Sequence, residues 1–148
     1  MTFRTESRIR IAGSVAEACA YLCDVTRWPE WAPTVLECWL DGGAALRPGS
    51  RIRQRAKGIF GSTRERSQKV TVVEAPSRLA FAGPMGTSAA RWGMEFEPAG
   101  DGQTDAMMWI EVDLQGVMRA IPPRLLERRI QRVSDLEMRA IKAAVESA

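Results

Sequence analysis

Glu137 stands where a carboxylate is hardest to explain. It lies in the segment RLLERRIQRVSDLEMRAIKAAVES. At helical spacing, Leu126, Ile130, Val133, Ala140, Ile141 and Ala144 share one face of that segment, and Arg124, Arg128, Gln131, Asp135, Arg139, Lys142 and Glu146 share the other. Glu137 falls near the centre of the apolar arc and Arg129 toward one of its edges. A carboxylate turned into a core without partners costs several kcal/mol or is driven to take up a proton. Three arrangements resolve this. The helix arches over a cavity, where Glu137 meets water or ligand; Glu137 pairs with an arginine from a strand; or the side chain reaches solvent along its own length. In the first case a buried glutamic acid with a raised pKa is a candidate general acid or base.

The chain has no histidine, which narrows the remaining chemistry. Ser-His-Asp and Cys-His nucleophilic arrangements are excluded in their usual forms, as are most catalytic transition-metal sites. Acid–base work falls to Glu, Asp, Lys, Tyr or water, with Tyr21 a possible helper for Glu137. Three cysteines, Cys19, Cys23 and Cys38, make no disulfide framework. Cys19 and Cys23, one helical turn apart, read as small buried hydrophobes rather than metal ligands. No metal and no cofactor is expected.

A second unusual stretch is CDVTRWPEWAP, Cys23 to Pro33. It uses Trp28 and Trp31, two of five tryptophans, in a segment that fits neither a regular helix nor a strand. Pro29 and Pro33 each remove a backbone donor and bias the preceding residue away from the α region. Tertiary contacts must therefore hold the rings.

The elements around these residues follow from periodicity and punctuation. FRTESRIRI reads as a strand, and Ser14 with Glu17 forms an S-x-x-E capping box opening a helix from about Val15 to Cys23. The Trp-Pro segment reads as a short irregular second helix. From Val35 the period changes to two: VLECWL, RIRQRAK, TRERSQKVTVVE, RLAFAG, AARWGMEFE and TDAMMWIEVDL are predicted strands, and their short connections imply antiparallel pairing. The long amphipathic helix closes the chain, the one element able to cover an antiparallel sheet. The 148 residues suit one domain, and the 45% hydrophobic content suffices for a core. The net charge of +3 is scattered, not gathered into a nucleic-acid surface. No run suits a signal peptide or a membrane span, so a cytoplasmic protein is expected.

The order of elements, the RWPEW motif, LRPGSRIR, VVEAPSRLAF, DGQTDAMMWIEVDL and the long terminal helix together resemble the polyketide cyclase/dehydrase branch of the START-like (SRPBCC) superfamily. The resemblance spans nearly the whole chain. It implies an α+β helix-grip fold for residues 1–148: a curved antiparallel sheet of about six to seven strands around the long C-terminal helix, with two short helices after the first strand. It also implies a hydrophobic cavity between sheet and helix. Trp28 and Trp31 match the family's Trp-Pro-x-Trp position, packing between the short helices, the sheet and the cavity mouth as a structural plug or as ligand contacts.

On that fold, the more apolar face of each strand points inward. Ile52, Gln54 and Ala56; Gln68, Val70 and Val72; Leu79 and Phe81; Trp92, Met94 and Phe96; and Met108, Ile110 and Val112 are the inward candidates, with Arg64 and Arg66 following by alternation. One of these arginines is the natural partner of Glu137. Arg51, Arg53 and Arg55 then face outward, as do Met107 and Trp109, whose exposure means either a register error or a partner surface.

The preferred reading is a carrier or sensor of a small hydrophobic molecule such as a lipid, polyketide or isoprenoid. Its expected polar anchors are Gln54, Arg66, Gln68, Arg129 and Glu137, and its expected walls are Trp31, Trp92, Met108 and Val133. The alternative is a cyclase/dehydratase-type enzyme using Glu137 as general acid or base, with an arginine and Tyr21. A third reading is a protein-interaction module working through Trp109, Met107 or the arginine row. The expected partner is a small hydrophobic ligand, with neither nucleic acid nor an integral membrane segment; relatives of this kind often form homodimers.

Overall fold

Period-two alternation sends seven segments of this chain into strands. They are β1 (Thr2–Ala12), β2 (Val35–Leu40), β3 (Arg51–Lys57), β4 (Thr63–Glu74), β5 (Arg78–Met85), β6 (Ser88–Pro98) and β7 (Gln103–Asp113). The computed structural model describes residues 2–43, 45–58 and 61–148. One seven-stranded antiparallel sheet forms in the order β1-β7-β6-β5-β4-β3-β2. The strands β2 to β7 are thus each beside their chain neighbours, while β1 and β2 lie at opposite edges. The chain crosses from one edge to the other through helix α1 (Val15–Cys23) and a 3₁₀ helix (Val25–Glu30). After β7 a second 3₁₀ helix (Gly116–Ala120) leads into the long helix α2 (Pro123–Glu146).

The start of α1 agrees with its sequence signal. Ser14 Oγ accepts from the Glu17 backbone N–H at 3.1 Å and donates to Glu17 Oε1 at 3.1 Å. Replacing Ser14 with alanine is expected to cost about 1 kcal/mol, the usual worth of a helix cap. A urea midpoint unmoved by Ser14→Ala would show that α1 is held by packing alone.

The long helix is rotated relative to the sequence expectation. Its buried residues are Leu126, Ile130, Ser134, Met138, Ile141 and Val145, whereas Val133 is 37% exposed. The reason is a polar clamp along β1. Ser7 Oγ donates to Asp135 Oδ1 at 2.6 Å, Gln131 Nε2 donates to Glu6 O at 2.8 Å, and Lys142 Nζ donates to Arg10 O at 2.8 Å. The Ala12 backbone N–H donates to Glu146 Oε2 at 2.8 Å. These bonds hold one flank of α2 against the edge strand. Arg129 and Glu137 are left toward the other flank, where both line the cavity.

Alternation holds along most strands, with Ile52, Gln54, Ala56, Val70, Leu79, Phe81, Met94, Phe96, Met108 and Val112 all buried. Val72 is a correction. A bulge shifts the register between Val70 and Val72, so Val70 pairs with Phe81 but Val73 pairs with Leu79. The extra residue switches faces, and Val73 rather than Val72 packs on the core.

Trp109 does lie on the outer face, but the chain itself covers it. Gly93 leaves room for the indole: a Cβ there would lie 2.7 Å from Trp109 Cζ2 and 2.6 Å from Leu79 O. The Arg4 guanidinium lies 5.0 Å from the ring centre on the same indole. Its exposure is therefore neither a register error nor a bare partner surface. Arg53 and Arg55 of the outward row are likewise engaged, with Asp41 and Glu65 and with Glu37.

Candidate functional site

The Trp-Pro segment builds one wall of the interior. Trp28 is 1% exposed, and its Nε1–H donates to Leu22 O at 2.9 Å. Its ring meets Trp31 at 5.5 Å, Phe81 edge-on at 5.2 Å and Trp92 at 5.3 Å between centroids, while Phe81 and Trp92 stack at 4.4 Å. Trp31 is also buried, yet its indole N–H has no acceptor among the described residues. The rings are held by one another and by the helix end, which is why no local propensity explained their spacing.

From this wall a cavity of about 650 Å³ extends between the sheet and the free flank of α2. Trp28, Trp31, Val35, Ala56, Ala90, Trp92, Met108 and Ile110 supply apolar lining. Lys57, Gly58 and Ser62 from the β3–β4 connection, Met85 and Gly86 from the β5–β6 hairpin, and Met118 from the second 3₁₀ helix line its more exposed end. The cavity is open there. Sequence reasoning missed Lys57, Ser62, Met85 and Met118, because they come together only when hairpin ends and the segment before α2 converge.

Inside, β3, β4 and β6 present a linked polar group. Gln54 is 1% exposed, and its Oε1 accepts from Arg66 Nε at 2.8 Å and from Gln68 Nε2 at 3.4 Å. Gln68 Oε1 in turn accepts from Trp92 Nε1 at 2.6 Å. Register explains the cluster, since Gln54 is directly opposite Arg66 on β4 and Ile52 is opposite Gln68. Burial lowers the Arg66 pKa, an effect opposed by the charge of Glu137 and then by Cys38. A guanidinium nevertheless stays protonated in proteins. Buried beside this cluster, the Cys38 thiol is pushed up to about 11, mainly by desolvation.

Glu137 faces the same cavity from α2. Desolvation pushes its pKa up to about 7, against the opposing pull of Arg66. Among the described residues it has no hydrogen bond and no ion pair within 4.0 Å, so the arginine acts on it through space. Of the three arrangements open from the sequence, the structure shows the first: Glu137 meets a cavity, and the strand arginine Arg66 acts on it through space without forming an ion pair.

The structure brings Trp31, Gln54, Arg66, Gln68, Trp92, Met108, Arg129 and Glu137 onto one cavity, with Arg129 exposed on its rim and Arg64 also lining it. Val133 is the exception and a correction. It is one helical turn from both Arg129 and Glu137, but the clamp on β1 turns it outward and it does not line the cavity. Tyr21 is also held elsewhere: it is buried, donates to Glu30 Oε1 at 3.1 Å and lies under Arg27. Cys19 and Cys23, with sulfurs 3.9 Å apart, pack with the core. Among the described residues no cluster of three or more His, Cys, Asp or Glu could hold a metal ion, and no helix is long and apolar enough to cross a membrane.

A curved antiparallel sheet closed over a cavity by one long terminal helix defines a helix-grip domain of the START type. Residues 2–146 match the family described as polyketide cyclase / dehydrase and lipid transport, and the chain belongs to that family. A START superfamily protein from Mycobacterium smegmatis has a similar fold, with a TM-score of 0.78 at 15% identity over 97% of each chain. Ara h 8.0201 is similar at TM-score 0.77 and 16% identity over the full length of both chains. The di-domain ARO/CYC StfQ from the steffimycin biosynthetic pathway gives TM-score 0.76 at 17% identity, covering 99% of this chain and 51% of that one. At these identities the likeness is one of fold. A search of curated proteins gave no sequence match.

Proposed function

We propose that this protein binds and carries a small, largely apolar molecule in the cavity between the sheet and α2. The observation supporting it is the cavity itself: about 650 Å³, within the usual range for ligand sites, with apolar walls and a few convergent polar groups. The family description, which includes lipid transport, is consistent with it. The test is native mass spectrometry of protein purified from its natural host, before and after denaturation. A co-purifying species released on unfolding supports the reading and gives the ligand mass; an apo spectrum removes the tight-carrier form of it.

Ala90 supplies an independent check, because it is half-buried on the cavity wall opposite Val112 and Gly83. Ala90→Trp is expected to weaken uptake of any apolar probe at least about tenfold, since the added ring takes up cavity volume; because Ala90 also packs on the cluster of Val112, Met118 and Leu126, the fold is checked beside it. Unchanged uptake with an unchanged circular dichroism spectrum would count against this cavity as the binding site.

A second reading is favoured by Glu137. A carboxyl with a pKa of about 7, unpaired and facing a ligand-sized space, is suited to act as general acid or base in a cyclase/dehydratase-type reaction. Under that reading, Glu137→Gln loses turnover of a poly-β-keto substrate about a hundredfold or more while binding is kept.

A further inference from the structure

The polar part of the cavity has an unequal supply of charge and of donors. Four cations line it, Lys57, Arg64, Arg66 and Arg129, against two carboxylates, Glu65 and Glu137. Glu65 is already paired with Arg53 at 3.0 Å on the outer side of β3. Arg66 spends its Nε on Gln54, and among the described residues its two terminal nitrogens have no acceptor. Gln54 Oε1 takes two donors and Gln68 Oε1 takes the Trp92 indole, so both amide oxygens of this network are engaged while the terminal nitrogens of Arg66 are not. Trp31, on the adjoining wall, keeps a buried N–H with no acceptor among the described residues. Donors on Arg66 and Trp31 therefore face the cavity unengaged, and Glu137, the one carboxyl directed into it, bonds to neither of them among the described residues.

We infer that the apolar ligand carries a single carboxylate, received by the terminal nitrogens of Arg66 with its hydrocarbon body along the Trp92, Met108 and Ile110 wall. This deepens the carrier reading and rests on it. A guanidinium edge matches the two oxygens of a carboxylate, and the fixed Nε–Gln54 bond aims that edge before the ligand arrives. The second consequence is a proton linkage. A ligand anion close to Glu137 disfavours a second negative charge, so Glu137 is held protonated in the complex. Above about pH 7, where free Glu137 ionises, binding must take up a proton, and affinity falls as the pH rises. Lys57, Arg64, Arg66 and Arg129 are the charges that oppose this, and Glu65 adds to it.

The test is equilibrium dialysis with acid–alcohol pairs on two bodies: lauric acid against lauryl alcohol, and naphthoic acid against naphthol, all below micellar concentration. At pH 6.5 at least one acid is expected to bind about tenfold or more tighter than its alcohol, the worth of a charge-assisted hydrogen-bonded pair. Arg66→Met is expected to abolish that preference. The acid affinity of the wild type is expected to fall up to about tenfold per pH unit above neutrality, and that of Glu137→Gln to stay flat. Equal binding of acids and alcohols, or an acid preference that survives Arg66→Met, overturns the carboxylate and leaves the apolar carrier standing. A preference without any pH slope in the wild type overturns the proton linkage. Failure of all four compounds to bind takes down the carrier reading, and this inference with it.

Discussion

Trp28→Ala is expected to destabilise the protein by about 3–5 kcal/mol, the largest effect of any single change considered. The residue is 1% exposed and is the hub of four rings, touching Trp31, Phe81 and Trp92 at centroid separations of 5.5, 5.2 and 5.3 Å. Truncation removes its own burial, leaves a void against rings that cannot collapse, and strands the Leu22 carbonyl. A paired substitution separates packing from hydrogen bonding. Trp28→Phe keeps much of the ring contact but orphans the Leu22 oxygen, and is expected to cost about 1–3 kcal/mol beyond the lost volume. Trp31→Phe removes an indole N–H that has no acceptor among the described residues, so its volume loss is offset and the net cost is expected to be below that of Trp28→Phe. Urea unfolding of the three variants decides the matter. If Trp31→Phe costs as much as Trp28→Phe, the hydrogen bond to Leu22 is not what distinguishes the two rings.

The same pair of tryptophans shows how far the sequence was legible. Their chemistry and the prolines beside them signalled an irregular, tertiary-held segment, and the structure is a 3₁₀ helix fixed by ring contacts. What could not be read was that Trp28 joins Phe81 and Trp92, because those contacts depend on the sheet curving beneath the crossing from β1 to β2. Strand faces followed from alternation until β4, where a bulge moved Val73 inward in place of Val72. Nothing in KVTVVE distinguishes the two residues; the pairing with β5 does. Helix rotation failed for a related reason. Apolar spacing alone places Val133 on the core side, but the position of α2 is set by polar residues, Gln131, Asp135, Lys142 and Glu146, that bond to β1. Periodicity of hydrophobic residues carries no information about which polar residues will find a strand backbone.

The rotation that displaced Val133 also explains how Glu137 can be tolerated. Had α2 been centred over the sheet, its carboxyl would have met packed side chains, and a partner within bonding distance would have been needed. With the helix clamped to the edge, the carboxyl faces open cavity and feels Arg66 through space. The fold thus keeps an ionisable group in a place where its charge is costly but not forbidden.

Glu137→Gln is accordingly expected to leave stability little changed near pH 4 and to raise it above neutrality, by roughly 2 kcal/mol at pH 8. In the wild type the folded-state pKa lies at about 7 against an ordinary 4.5. Between those values the folded protein holds a proton that the unfolded chain has released, so stability declines as pH rises through the interval and stays reduced above it. The full linkage for such a shift is about 3 kcal/mol, and water in the open cavity reduces it. Glutamine has no proton to lose, so the variant escapes the decline. Carboxylates held below their ordinary values, Glu6 and Glu30 beside their arginines and Glu146 beside the Ala12 N–H and Lys142, act in the opposite sense at low pH. They are common to both proteins and cancel in the difference. Arg66→Met extends the experiment, because removing the cation that draws Glu137 downward moves the decline to higher pH. The measurement is urea unfolding of wild type, Glu137→Gln and Arg66→Met from pH 4 to pH 9. A difference between wild type and Glu137→Gln that is constant across that range would mean that Glu137 ionises normally in the folded protein. The carboxyl would then be a solvated surface group, unfit for acid–base work at neutral pH.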